Sequence, residues 1–500
     1  MRSSQMDTSK THPVFCFIRK YKLLLAVILL GFLLRLFQLG NDILWYDEVG
    51  VFGVTKARNL ADIVPIVQSH VMAMPLDYVF TWLASRIGTS NAILRFPSVI
   101  WGTLTLPVCY FFFKELTDQK TALYAVFLLA ISPFHIQYSQ ELRFYSSLTL
   151  FYVLSTYTLY RAMKNPTARM WSIFTITTVI GVFFHMYVLL VLVNGLVWFL
   201  FSDEIRPNRQ MIFRHLLWSA TVILLSFAIG FFLFSGRVTF ANPFLETGIS
   251  FWQTVFTGLG WLPFYSNSLE WSWVWGLTCC LLQIGGLIVL LKKPRSSGIW
   301  LMVSVILQMA VIMALDVFKQ YFFMPRQWLP FLPVLLMTAG IGLSSLNHWL
   351  QDRFSSTSML FTPQKRMIPA ILVCLILLID LPALVTYYSG TKGNADGISA
   401  YIHTHWLPGS MVLVINPYEA GYYNFFFDEV IKDSSIVPSV WQADWQTVQE
   451  STVWKGKIFV ITPLLLSMDQ QNILESSGYK LIPLDYHFTR YSRQLWIFDH

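Results

Sequence analysis

Apolar residues gather along this chain in long blocks, each closed by charged or turn-forming residues. Eleven such runs can be drawn: 23–40, 91–113, 121–138, 144–163, 171–184, 188–201, 216–235, 273–291, 299–316, 327–345 and 368–388. About 20 apolar residues carry a helix across a bilayer, where every backbone polar group must be satisfied within the chain. The pattern therefore predicts an α-helical polytopic membrane protein with about eleven transmembrane helices. The pair within 171–201 is short for two crossings, but basic residues flank it on both sides, so the chain must turn back, at His185, Met186 and Tyr187. The first run has no small-residue cleavage site after it and is read as a retained anchor. After residue 388 the pattern changes. Strand-like runs at 411–416, 457–462 and 494–498 and helical patterns near 395–406 and 466–477 predict a small α/β domain over 389–500.

Composition supports this reading. Hydrophobic residues make up 55% and charged residues 12%, with mean hydropathy +0.54. A water-soluble chain of average composition carries about 25% charged residues, so the apolar excess must face lipid. The net charge of +8 could suggest a nucleic-acid partner. The basic residues sit instead in short loops between apolar runs, where they orient the chain, and no nucleic acid is expected. With the N-terminus (1–22) in the cytoplasm, 19 Lys and Arg fall in inner segments and 7 in the outer loops between spans. Eleven crossings then leave the C-terminal domain outside, and a bacterial inner membrane is the expected location. Three outer segments are large: 41–90, 236–272 and the tail. The five cysteines lie in or beside apolar segments, so no disulfide framework is indicated. No Gly-rich phosphate loop or dinucleotide fingerprint occurs.

Candidate chemistry collects at the expected outer face. Trp45-Tyr46-Asp47-Glu48 places a carboxylate pair just beyond the first span, where it could supply a general base or form an ordinary acidic loop. Tyr138-Ser139-Gln140-Glu141-Leu142-Arg143-Phe144-Tyr145 makes the turn between the third and fourth spans, unusually polar unless Glu141 and Arg143 simply close a hairpin. Arg95 stands four residues into an apolar run with no acidic neighbour in sequence; it either snorkels outward, as Arg35 is expected to do, or serves the site. His185 and Tyr187 join Arg326 and Gln327 at the outer start of the tenth run. A guanidinium can hold a phosphate through paired hydrogen bonds while a lipid tail lies between helices. Acids for proton transfer and arginines for a phosphate, beside an apolar interior, suit a lipid-phosphate substrate.

The order of Trp45-Tyr46-Asp47-Glu48, Met74-Pro75-Leu76-Asp77-Tyr78, Leu94-Arg95-Phe96-Pro97-Ser98 through Gly102 to Pro107, and the 138–145 segment resembles the C-type (GT-C) glycosyltransferases. Within them it is similar to the dolichyl-phosphate-mannose protein mannosyltransferases and the bacterial aminoarabinose transferase of lipid A. The resemblance covers about residues 20–200. His185-Met186-Tyr187 and Arg326-Gln327-Trp328-Leu329-Pro330 extend it. It implies that Asp47 is the acid that activates the acceptor, with Glu48 beside it. Arg95 and Arg143 become donor or phosphate contacts, and Gln140, Glu141 and Tyr145 parts of the second outer motif. The family's His-Pro-Pro-Leu element appears as Ala73-Met74-Pro75-Leu76, so His70 stands as a substitute for the missing His. There is no Trp-Trp-Asp motif in the tail and no segment resembling a β-trefoil.

The expected activity is transfer of a sugar from a polyprenyl-phosphate-linked donor to a protein, lipid or glycan acceptor outside the cytoplasm, by inverting displacement. No cofactor is required. Glu141 and Asp47 could share a divalent cation, but no dense carboxylate cluster calls for one. The rival readings are a polyprenyl-linked lipid flippase or transporter and a non-catalytic docking subunit.

Overall fold

The computed structural model describes residues 13–70, 73–203, 208–234, 269–292, 296–318, 325–355, 362–390, 393–415, 419–440, 456–463, 466, 468–484 and 493–498. The chain opens with α1 (Pro13–Leu36) and a segment of short helices: α2 (Tyr46–Phe52), a 3-10 turn (Gly53–Lys56), α3 (Ile63–Gln68) and α4 (Pro75–Ser85). The helical bundle continues with α5 (Asn91–Leu116), α6 (Gln119–Ile131), α7 (Pro133–Ser139), α8 (Tyr145–Lys164), α9 (Ala168–Phe184), α10 (Val191–Phe201) and α11 (Arg209–Phe234). It ends with α12 (Leu269–Leu291), α13 (Ser297–Phe318), α14 (Leu332–Ser355) and α15 (Thr362–Ser389). Residues 236–268 of the expected outer segment 236–272 lie outside the described residues.

Each apolar run drawn from the sequence falls on helical structure. Among the described residues, six helices are long and apolar enough to cross a membrane, and a seventh span arises if α6 and α7, bent by 60°, are taken as one. The bend has a local cause. Ser132 caps α7, its hydroxyl accepting from the His135 N–H, and Pro133 at the first helical position cannot continue the ladder of α6. The polar turn is consequently shorter than expected: Tyr138 and Ser139 belong to α7 and Tyr145 begins α8, leaving Gln140–Phe144.

Close helix approach depends on small residues. A Cβ at Gly286 would stand 1.8 Å from the Thr338 carbonyl oxygen, and one at Gly342 would stand 1.9 Å from that of Leu282. α12 and α14 therefore meet backbone to backbone. α8 is rich in Ser, Thr and Tyr, and these side chains are spent inward. The Tyr152 hydroxyl donates to Gln308 at 2.9 Å, and Asn194 donates to Tyr152 and Thr156 while accepting from Gln308 and Ser304. This network ties α8 and α10 to α13.

Beyond the bundle lie α16 (Ala395–His405), β1 (Met411–Val414), α17 (Ala420–Phe425) running into a π-helical turn (Phe426–Ile431), β2 (Ser439–Val440), β3 (Ile458–Pro463), α18 (Met468–Ser476), β4 (Lys480–Leu481) and β5 (Arg493–Phe498). The sheet order is β2-β1-β3-β5-β4, with β1 parallel to β2 and β3, and β5 antiparallel to β3 and β4. Period-2 alternation sends Val412, Val414, Phe459 and Ile461 to the face covered by α16 and α17, and Leu413, Val460 and Trp496 to the face covered by α18. This unit rests on α2. Tyr422 meets Tyr46 edge-on at 6.1 Å and donates to the Leu44 carbonyl, Phe425 packs on Phe52, and Glu429 pairs with Lys56.

Candidate active site

α2 starts with an extended Trp45 as N-cap, and both Asp47 and Glu48 lie in its first turn, where free N–H groups favour negative charge. Adjacent helical positions point apart, and the two acids have different fates. Glu48 is wholly buried. It receives Arg95 Nε and Nη2 at 2.8 and 2.7 Å, the Leu142 N–H at 2.7 Å and the Trp45 N–H at 3.2 Å. The remaining Arg95 donors go to the carbonyls of Leu39, Asp42 and Ile43. All five guanidinium N–H groups are thus used. Arg95, expected as a donor or phosphate contact, here locks Glu48 and the end of the first connection onto α5. Glu48, with two acceptances on each oxygen, is no free base.

Gln140 is also absorbed into the framework. Its amide donates to the carbonyls of Arg35 and Phe37 and accepts from the Tyr387 hydroxyl at 2.6 Å, joining α1, the polar turn and α15. Glu141 is buried one helical turn from Gln137, which donates to it at 3.2 Å. Arg35 does not snorkel. It has no exposed surface and donates to the carbonyls of Gly31, Ala130 and Leu129, to the Ser139 hydroxyl and to His135 Nδ1.

Asp47 remains at the edge of solvent, its side chain 19% exposed, and its Oδ2 accepts from Arg326 Nη1 at 2.9 Å. The Arg326 guanidinium lies 5.5 Å from the ring centres of both Trp45 and Tyr145. Arg143 reaches the Asp47 backbone carbonyl with Nη1 at 3.5 Å and lies over the Phe144 ring, while its Nε is buried without a hydrogen-bond partner among the described residues. His185 stacks on Phe144 at 4.3 Å and meets Tyr187 edge-on at 4.8 Å. From the other side, His70 binds the Ile66 carbonyl through Nδ1 and faces Tyr78 at 5.6 Å.

The charges follow from this packing. Burial alone would lower the pKa of Arg143, but the Asp47 carboxylate together with the Tyr145 and Tyr78 hydroxyls outweighs it and holds the guanidinium above its usual range, firmly charged. Burial, helped by the Arg143 cation, pushes His185 down to about 3. Burial also lowers His70, so both imidazoles are neutral near pH 7. Among the described residues no group of three or more His, Cys, Asp and Glu side chains could hold a metal ion. Asp47 and Glu141 bond to different partners, Arg326 and Gln137.

Of the residues singled out in the sequence, the structure brings together Asp47, Arg143, Tyr145, His185 and Arg326, with Tyr187 and His70 flanking. It assigns Glu48, Arg95 and Gln140 to the supporting layer. It also adds Asp77, which no site reading from the sequence included. Asp77 is 7% exposed, its Oδ2 is buried without a hydrogen-bond partner among the described residues, and burial pushes its pKa up to about 6 while Arg143 pulls the other way. An acid two places after a helix-starting proline reads as an ordinary first-turn residue, which hid it.

Comparison with solved structures places the fold. The fold matches apo ArnT from Cupriavidus metallidurans with a TM-score of 0.55 at 12% identity, over 96% of this chain and 98% of that one. The structure of ArnT bound to undecaprenyl phosphate matches over the same shares with a TM-score of 0.45, also at 12% identity. The oligosaccharyltransferase of Archaeoglobus fulgidus, in complex with Zn and sulfate, matches at 0.49 and 15% identity, over 88% of this chain and 67% of that one. No curated protein matches the chain significantly. Residues 73–235 match the family model described as dolichyl-phosphate-mannose-protein mannosyltransferase. The chain thus has the fold of ArnT, and about a third of its length resembles the dolichyl-phosphate-mannose-protein mannosyltransferases.

Proposed function

We propose that the protein transfers a sugar from a polyprenyl-phosphate-linked donor to an acceptor hydroxyl outside the cytoplasm. The observation that carries this reading is a carboxylate at the edge of solvent, Asp47, paired with Arg326 and flanked by Arg143, in the expected outer-loop segment beside the helical bundle. The two guanidinium groups receive the donor phosphate. Once the phosphate draws on Arg326, Asp47 loses part of its ion pair and becomes a stronger base. The acceptor oxygen attacks the anomeric carbon from the face opposite the phosphate as its proton passes to Asp47. The bond from that carbon to the phosphate oxygen breaks with its electron pair, and polyprenyl phosphate leaves with inversion at the sugar. The arginines neutralise the charge that grows on it, which lowers the barrier more than the ground state.

The same reading places the site outside the cytoplasm of an inner membrane, with eleven crossings. The contacts between α2 and the C-terminal unit support that count, because two segments on one side require an even number of crossings between them. The seven apolar spans all lie between residues 91 and 389. Adding α8, α9 and α10 makes ten.

Purified protein incubated with radiolabelled polyprenyl-phosphate sugar and a crude membrane acceptor should move label to a new molecule and release lipid phosphate. Asp47→Asn keeps the shape and removes the base, so transfer should fall about 100-fold or more. Activity within about twofold of wild type removes Asp47 from the mechanism. Label that crosses the membrane still on its lipid would mark a flippase.

A further inference from the structure

Two polar atoms in this site are buried without a hydrogen-bond partner among the described residues: Asp77 Oδ2 on α4 and Arg143 Nε in the polar turn. They belong to one neighbourhood: Tyr78, next to Asp77, and Leu142, next to Arg143, share one buried apolar cluster, and the Arg143 charge acts on both Asp77 and Tyr78. The polar turn is fixed to α5 by the Ser98 hydroxyl, which donates to the Arg143 carbonyl, and α4 packs on α5. A buried acceptor and a buried donor each left open are costly, and packing alone gives no reason to keep both. Charged groups on α2, α5 and the 3-10 turn against α4 bond elsewhere. Glu48 holds Arg95, Asp47 holds Arg326, Lys56 pairs with Glu429, and neutral His70 bonds the Ile66 carbonyl.

A guanidinium only donates and a carboxylate only accepts. A group that satisfies both must donate one proton and accept another, and it must be neutral, because an anion would be repelled by Asp77 and a cation by Arg143. An alcohol hydroxyl does this. The reading above already places the donor phosphate at the Arg326 and Arg143 guanidinium groups, beside Asp47, so the sugar is the part of that donor left to face Asp77 and Arg143 Nε. We propose, on the basis of that transferase reading, that Asp77 and Arg143 form a subsite for one hydroxyl of the donor sugar, which donates to Asp77 Oδ2 and accepts from Arg143 Nε. Recognition is then divided, with phosphate read at Arg326 and the sugar at Asp77, 30 residues later in the chain than Asp47.

The test compares binding of two kinds of probe to the full-length protein in nanodiscs: undecaprenyl phosphate, and the undecaprenyl-phosphate esters of mannose, glucose and aminoarabinose. Wild type should bind at least one ester more tightly than the bare lipid phosphate. Asp77→Ala and Asp77→Asn should weaken that ester about tenfold or more, in line with loss of a hydrogen bond to a charged group, and leave undecaprenyl phosphate within about twofold. The unchanged lipid phosphate also reports that the variants are folded. No preference for any ester, an equal loss for both probes, or no change for either overturns the sugar subsite. Failure of wild type to bind undecaprenyl phosphate at all strikes the transferase reading itself, a different result.

Discussion

Asp47 and Glu48 are neighbours in sequence with the same chemistry, and only their surroundings separate them. Glu48 is held by two backbone N–H groups and both arms of Arg95, whereas Asp47 keeps solvent and one arginine. A buried pair of this kind contributes little net stability, but losing one partner leaves an uncompensated charge. At this scale the motif's composition was legible and the division of roles was not, because residue order does not say which carboxylate points inward. His185 carries a testable consequence. Its ordinary pKa of 6.5 falls to about 3 on folding. Below pH 6.5 the unfolded chain takes up a proton that the folded one refuses, so stability is full above that value and declines as pH falls toward 3. Thermal unfolding of the detergent-solubilised protein should show this decline, and His185→Asn should flatten its share of it. A variant with the wild-type slope would contradict the buried neutral imidazole.

Among the elements, the bend between α6 and α7 does most to shape the site. It brings Ser139 and His135 under Arg35 and starts the turn that carries Arg143. α5 accommodates that layer through Gly102, where a Cβ would stand 2.1 Å from the Ser139 hydroxyl and 3.2 Å from Arg35 Nε. Gly102→Ala should therefore lower stability by about 1–3 kcal/mol, the usual range for overpacking a core. Gly397 on α16 supplies the control, because a Cβ there meets nothing within 4 Å, and Gly397→Ala should be neutral or slightly stabilising. Melting temperatures of the two variants decide it, and equal effects would show that Gly102 is not a contact point. The apolar runs announced nearly all these helices, since lipid imposes a long uniform pattern. The 60° bend escaped because Pro133 sits inside a stretch that is apolar on both sides.

For the whole molecule, the C-terminal unit and the loop that carries Asp47 form one face through Tyr422, Phe425 and Glu429. The orientation proposed from the basic residues makes that face extracytoplasmic. Single cysteines placed at the exposed positions Asp396 and Lys120, in a background without the native ones, test it directly. A membrane-impermeant maleimide added to intact cells should label position 396 and spare position 120, and the reverse would invert the topology. The sequence by itself determined the helical membrane architecture, the strand-bearing tail and the segments from which the site is drawn, because burial in lipid and alternation across a sheet leave periodic marks on composition. The tertiary structure alone decided which charges pair. Arg326 lies 279 residues from Asp47, and Arg95 lies 47 from Glu48. Over such separations no local pattern records who meets whom; that follows from how the helices pack.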